Sequence, residues 1–131
     1  MDFIIGGCYQ GKKEYVKDQY NLHENDFISA VDLKDNDMQG KYCLTDFHLY
    51  IRQLMENGQN IEVSIETNIA ALLQKNDIRV IISNEIGYGI VPVDAFERVY
   101  REAFGRASCI LAGKADKVVR VVSGIGVVIK Q

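Results

Sequence analysis

The sequence predicts a three-layer α/β domain with a mainly parallel sheet. Three observations carry that reading. Short apolar runs alternate with amphipathic stretches along the chain, the order that buries one sheet between helices. The run at 79–83 (Arg79-Val80-Ile81-Ile82-Ser83) is almost continuously apolar, as a strand covered on both faces should be. Glycine-bearing segments at 6–11, 84–89 and 123–126 each follow a predicted strand, on the sheet edge where ligands of such folds bind. At 131 residues the length suits one domain, 1–131, and no repeat or linker divides it.

The elements follow in order. Phe3-Ile4-Ile5 is a short buried strand stopped at Gly6-Gly7. Residues 12–20 contain helix formers and no breaker. Phe27-Ile28-Ser29-Ala30-Val31 reads as a second strand closed by Asp32, and 34–41 is a polar loop. Leu44, Phe47, His48, Ile51, Leu54 and Met55 recur at three- and four-residue steps, predicting a helix over 44–55 that ends at Asn57-Gly58. Ile65, Ile69, Leu72 and Leu73 align on a further helix over 62–75. After the strand at 79–83 and the loop at 84–92, Pro92 suits the first turn of a helix reaching about Ala112, with Gly113 ending it. Strands at 117–123 and 127–129 close the chain.

Composition narrows the function. The net charge of −3 offers no general nucleic-acid footprint. No run approaches the ~20 apolar residues of a membrane helix, and the first residues lack a signal-peptide pattern. The cysteines Cys8, Cys43 and Cys109 form no C-x-x-C pair, so neither a zinc cage nor a disulfide framework is indicated. A reducing cytoplasm is the expected compartment.

Gly6-Gly7-Cys8-Tyr9-Gln10-Gly11-Lys12-Lys13 fits G-x-x-x-x-G-K between a strand and a helix. Backbone N–H groups of such a loop, backed by a helix N-terminus, bind polyanions. Lys12 would add a point charge on the β- and γ-phosphates of ATP or GTP. The usual Ser or Thr after that lysine binds Mg²⁺; here Lys13 stands instead. Either the Lys13 ammonium replaces part of the missing ion's charge, or the loop binds phosphate without efficient transfer. Asp32 at a strand end is the candidate Mg²⁺ acid, with a helix-cap role as the plain alternative. Glu85, beside permissive glycines, is the candidate for substrate or metal work. Of the two histidines, His23 lies in a polar turn. His48 sits on an apolar stripe, either packed there or serving as a nucleophile.

The run Ile82-Ser83-Asn84-Glu85-Ile86-Gly87-Tyr88-Gly89-Ile90-Val91-Pro92 is long and specific. Together with Phe96-Glu97-Arg98, Tyr100-Arg101-Glu102, Gly105-Arg106 and Val121-Val122-Ser123-Gly124-Ile125, it resembles the bifunctional adenosylcobinamide kinase/adenosylcobinamide-phosphate guanylyltransferase family of cobalamin biosynthesis. The similarity spans about residues 79–130, and the loop at 6–12 agrees with it. The resemblance implies a P-loop NTPase-like (RecA-like) domain. It also implies phosphorylation of the aminopropanol hydroxyl of adenosylcobinamide with ATP or GTP, then transfer of GMP through a guanylylated histidine. It maps the phosphate loop to Gly6, Gly7, Gly11 and Lys12, sets Asn84-Glu85 beside the nucleotide, and implies a homo-oligomer, a trimer in the family.

The chain departs from that pattern. Tyr9, Gln10 and Lys13 replace Arg, Ser and Ser of the family's G-G-x-R-S-G-K-S. Gly126 stands where members often carry Pro. Members are also longer, by roughly a quarter of a domain-sized chain, between the second strand and the Asn84 loop. That region carries their E-M motif and nucleophilic histidine. Here it holds Asp35-Asn36-Asp37-Met38 and no histidine at that spacing. Two readings follow: a short transferase using Lys12, Glu85 and, for guanylyl transfer, His48; or a degenerate nucleotide-binding module without turnover.

Overall fold

The computed structural model describes residues 1–58, 61–86 and 94–131. Strand β1 (Asp2–Gly6) lies centrally, parallel to β4 (Val80–Asn84) on one side and β5 (Lys117–Val122) on the other. Beyond β4 come β3 (Cys43–Thr45) and β2 (Phe27–Ser29), both parallel, while β6 (Ile125–Lys130) folds back antiparallel on β5. The order is β2-β3-β4-β1-β5-β6. The helices are α1 (Lys12–Tyr20), α2 (Phe47–Glu56), α3 (Ile61–Lys75) and α4 (Ala95–Lys114). None of them, over the described residues, is long and apolar enough to cross a membrane.

Alternation along each strand divides the core in two. Phe3, Leu44, Ile81 and Val118 point to one face and pack with Phe47, Ile51, Ile69, Leu72, Phe104 and Leu111 of α2, α3 and α4. Ile4, Val80, Ile82, Val119 and Val121 point to the other face, where Val16 of α1 joins them with Leu22 and Phe27. The continuous apolar runs are therefore buried on both sides. Arg52 clamps α2 to α4: its guanidinium pairs with Glu97 at 2.6 Å and lies 5.2 and 5.1 Å from the ring centroids of Phe96 and Tyr100.

The strand–helix alternation fails in two places. Between β2 and β3 there is no helix, only a 3₁₀ turn (Ala30–Asp32) and the polar loop. Asn76 holds that loop down, donating to the Asn36 carbonyl at 2.6 Å and accepting from the Met38 amide at 2.9 Å. Between β3 and β4 stand two consecutive helices. Leu44, expected to open a helix, lies in β3 instead. Three residues of buried strand carry no period of their own, and Leu44 happens to fall at helical spacing from Phe47 and His48. The break between them is Asp46, at φ 58°. Val31 falls outside β2 and is half exposed, because the chain turns at Ser29, whose Oγ accepts from the Val31 amide. Gly113 lies within α4, whose last residue is Lys114. Pro92 is outside the described residues. Asp94 caps α4, accepting from the Glu97 amide at 3.2 Å.

Gly6 tests the packing at the sheet edge. A Cβ there would sit 2.5 Å from the Val121 carbonyl oxygen, whereas one at Gly105 on α4 would meet nothing within 4 Å. Gly6→Ala is expected to destabilise by about 1–3 kcal/mol. Gly105→Ala is expected to stabilise by about 0.5–1 kcal/mol. Urea unfolding of both variants checks the pair.

Candidate functional site

The segment between β1 and α1 wraps the carboxyl edge of the sheet. Gly11 takes φ 86° and immediately precedes Lys12, the first residue of α1. The loop is pinned from the far end of the sequence. Gln10 accepts the Ser123 amide on its side-chain Oε1 at 2.7 Å and the Gly124 amide on its backbone carbonyl at 2.8 Å. Gly11 packs closely on Gly124 because it has no side chain; a Cβ on Gly11 would lie 3.3 Å from the Gly124 Cα. Two of the three glycine-bearing segments thus meet. Residues 87–89 of the third lie outside the described residues, while its first part, Asn84, donates to Cys8 Sγ at 3.7 Å.

Lys12 is buried, and its Nζ donates to the Gly7 carbonyl at 2.7 Å. Burial lowers its pKa, while Cys8, Glu85 and Asp46 oppose the shift. Its ammonium belongs to a cavity of about 310 Å³ lined also by Gly11, Thr45, Asp46, Ser83 and Asn84. A buried cation that bonds one backbone carbonyl, with donors to spare, is suited to an anionic ligand.

Asp32 does not reach this cavity. It is exposed on the 3₁₀ turn after β2. The acids that line it with Lys12 are Glu14 of α1 and Asp46, which follows β3. Asp46 Oδ2 accepts from Ser29 Oγ at 2.6 Å and Thr45 Oγ1 at 3.5 Å. The same sequence signal, an apolar strand followed by Asp, was present at Cys43-Leu44-Thr45-Asp46, hidden by the helical spacing of Leu44. A carboxylate in such a cavity suits Mg²⁺, which takes one or two carboxylates, phosphate oxygens and water. No cluster of three or more His, Cys, Asp or Glu able to hold a metal occurs among the described residues.

Glu85 is placed differently from its expected role. Its amide donates to the Gly6 carbonyl at 2.8 Å, and its largely buried carboxylate is gripped by Arg120 Nε at 2.7 Å and Nη2 at 3.1 Å. With both oxygens engaged, it ties the end of β4 to β5. His48 is buried on α2, outside the cavity lining. Its Nδ1 accepts the Asn84 amide at 3.3 Å, and its carbonyl accepts the Tyr100 hydroxyl at 2.7 Å. Burial depresses its pKa, opposed by Asp46 and assisted by Lys12. The neutral ring then carries its proton on Nε2, so the lone pair a nucleophile would use is already bonded.

Lys13 turns away from the loop. Its ammonium binds Glu24 at 2.5 Å and lies 5.1 Å from the Phe27 ring centroid. The idea that it stands in for a metal's charge has no geometric support. Tyr9 is almost fully exposed.

The cobinamide kinase/cobinamide phosphate guanyltransferase family model matches residues 11–129. The chain belongs to that family. It is 44% identical over 135 aligned residues to the bifunctional adenosylcobalamin biosynthesis protein CobU of Escherichia coli (strain K12), covering 92% of this chain and 74% of that protein. Its identity to the protein of the same name from Salmonella typhimurium is 44% over 70 residues, 53% of this chain and 39% of the relative. The family assignment agrees with the mixed, mostly parallel sheet.

Lys13 gives a direct check on the loop's geometry. Hydrogen bonds from Lys13 first, and Lys17 second, hold the Glu24 carboxyl at about 2. Because this folded value is depressed, the associated stabilisation is present above 4.5 and fades as pH falls toward 2. In Lys13→Ala the Glu24 carboxyl should titrate at higher pH, with less stability lost on acidification. Carbon-detected NMR titration reads the shift; an unmoved Glu24 would contradict the pairing.

Proposed function

We propose that the chain is a nucleotide-dependent transferase of cobalamin biosynthesis that phosphorylates adenosylcobinamide. The observation that carries this reading is the buried Lys12 ammonium facing Asp46 across the cavity behind the glycine loop. Phosphoryl transfer depends mainly on positioning and electrostatic stabilisation, and these residues supply both. The loop amides and Lys12 would hold the β- and γ-phosphates of ATP or GTP, and Asp46 would hold a Mg²⁺ ion that neutralises phosphate charge. The cobinamide hydroxyl oxygen bonds to the γ-phosphorus as the β–γ bridging oxygen leaves with its electron pair on the nucleoside diphosphate. The hydroxyl proton passes to water. Gln10 and the Glu85–Arg120 pair act as positioning groups that keep the loop closed on the sheet edge.

Guanylyl transfer from GTP is the weaker half of the reading. His48 could accept GMP on Nδ1 only after giving up the Asn84 amide, and on Nε2 only after moving its proton to Nδ1 as well. The module without turnover draws on two observations, the missing hydroxyl at Lys13 and the lack of a histidine at the family spacing. A cytoplasmic homo-oligomer belongs to the main proposal: edge strand β6 exposes Ile125, Val127, Val128 and Ile129, an apolar row of the kind that association covers.

Labelled nucleotides separate these outcomes. With γ-labelled ATP or GTP, Mg²⁺ and adenosylcobinamide, label should pass to the corrinoid. Lys12→Met should cut the rate by about 10²-fold or more, and Asp46→Asn should raise the Mg²⁺ needed. With α-labelled GTP, protein-bound label lost in His48→Ala would establish guanylyl transfer. Tight nucleotide binding with no labelled corrinoid would leave the binding module and refute the kinase.

A further inference from the structure

A second cavity, of about 190 Å³, lies between α2 and the polar loop that joins β2 to β3. Tyr50, Gln53 and Leu54 share one face of α2 and form one wall; Ala30, Leu33 and Asn36 form the other. The loop side is held in a costly shape. Asp35 and Asn36 are consecutive left-handed residues, at φ 53° and 57°, and such a pair persists only where its surroundings fix it. Lys75 and Asn76 do so by donating to the Asp35 and Asn36 carbonyls. The buried Tyr50 then fixes the Asn36 side chain, its hydroxyl donating to Oδ1 at 3.2 Å. That leaves Asn36 Nδ2 with no partner among the described residues. The half-buried Gln53 has none there for either end of its carboxamide. An apolar floor thus carries unused amide donors and an unused amide acceptor. The cavity also begins close to the phosphate site. Ala30 follows Ser29, whose Oγ donates to Asp46 at 2.6 Å, and Tyr50 lies one helical turn, about 6 Å of rise, beyond Asp46.

We infer that this cavity binds a primary carboxamide on an aliphatic arm, anchoring one peripheral propionamide of the corrinoid while another arm carries the hydroxyl to the phosphates. The inference rests on the transferase reading above. A primary carboxamide presents an acceptor and a donor side by side, and Gln53 presents the complementary pair. The two amides meet head to tail through two hydrogen bonds, and Asn36 Nδ2 donates to the arm's carbonyl oxygen as well. The two methylenes of the arm lie on Ala30, Leu33 and Leu54. A volume of about 190 Å³ admits one arm and leaves the macrocycle outside. A carboxylate in place of the amide has no N–H for Gln53 Oε1 and sets oxygen against oxygen. A site whose polar groups are left unpaired rejects such an analogue. Gln53 is therefore a specificity residue that reads whether the arm has been amidated.

Calorimetry of the full chain, with Mg²⁺ and a non-hydrolysable ATP or GTP analogue, tests this with adenosylcobinamide and its three monoacids, each with one propionamide hydrolysed to a carboxylate. One monoacid should bind about tenfold more weakly than adenosylcobinamide. Gln53→Leu, which removes the pairing groups at similar size, should weaken adenosylcobinamide about tenfold and erase its advantage over that monoacid. Nucleotide affinity and the thermal midpoint should stay in place, because Gln53 has no partner to lose among the described residues. Unchanged corrinoid affinity in Gln53→Leu, three monoacids that bind like the amide, or a lowered thermal midpoint would each overturn the site and leave the transferase reading intact. If the unsubstituted chain binds no adenosylcobinamide, the transferase reading falls with it.

Discussion

The Val121 carbonyl oxygen lies 2.5 Å from where a side chain on Gly6 would begin. This contact, backbone against bare backbone, sets the geometry of everything at the sheet edge. It lets the chain leave β1 close beside β5. From there Gln10 reaches the Ser123 and Gly124 amides, and Gly11 approaches Gly124. Two segments more than a hundred residues apart become one surface. The loop is then fixed by the sheet rather than by its own conformational preferences, which removes ordering entropy that a ligand would otherwise have to offset.

Charge is placed on that surface with few cations left over. Arg120 is committed to Glu85, Lys13 and Lys17 to Glu24, and Arg52 to Glu97 and Glu56. Lys12 alone among these is buried against neutral backbone with an acid across the cavity. Desolvation makes an anion near Lys12 more valuable than one near an exposed lysine, because the interaction acts in a poorer dielectric. The pairing of Glu85 with Arg120 serves the same end indirectly. It keeps a carboxylate that would repel phosphate neutralised at the loop's edge.

Much of this was legible in the residues. The strands at β1, β4 and β5 announce themselves because burial on both faces removes the need for polar alternation, and the glycine-lysine loop falls between β1 and α1 as its spacing implies. The family resemblance carried by Ser83 to Pro92 points the same way as the family match. What was not legible has physical causes. Leu44 sits at helical spacing from Phe47 by coincidence, and that disguised β3 and the acid behind it, so Asp32 drew the attention that Asp46 holds. Glu85 reads as a free carboxylate until Arg120, 35 positions away, is brought beside it by strand pairing. Gln10 looks like a lost family serine, because its partners lie over a hundred positions downstream. Lys13 follows a similar logic: nothing local says that Glu24 will capture it.

Among the described residues, one face of the sheet has a single helix over it. Val16, Tyr15 and Tyr20 of α1, with Leu22 and Phe27, are the cover for Ile4, Ile82, Val119 and Val121, and that same helix presents Lys12 to the cavity at the sheet edge. Occupancy of the loop and protection of this half of the core are therefore mechanically joined. A ligand that steadies the first turn of α1 slows the openings that expose β1 and β5 to solvent, so amide exchange deep in the sheet becomes a gauge of what is bound at its rim.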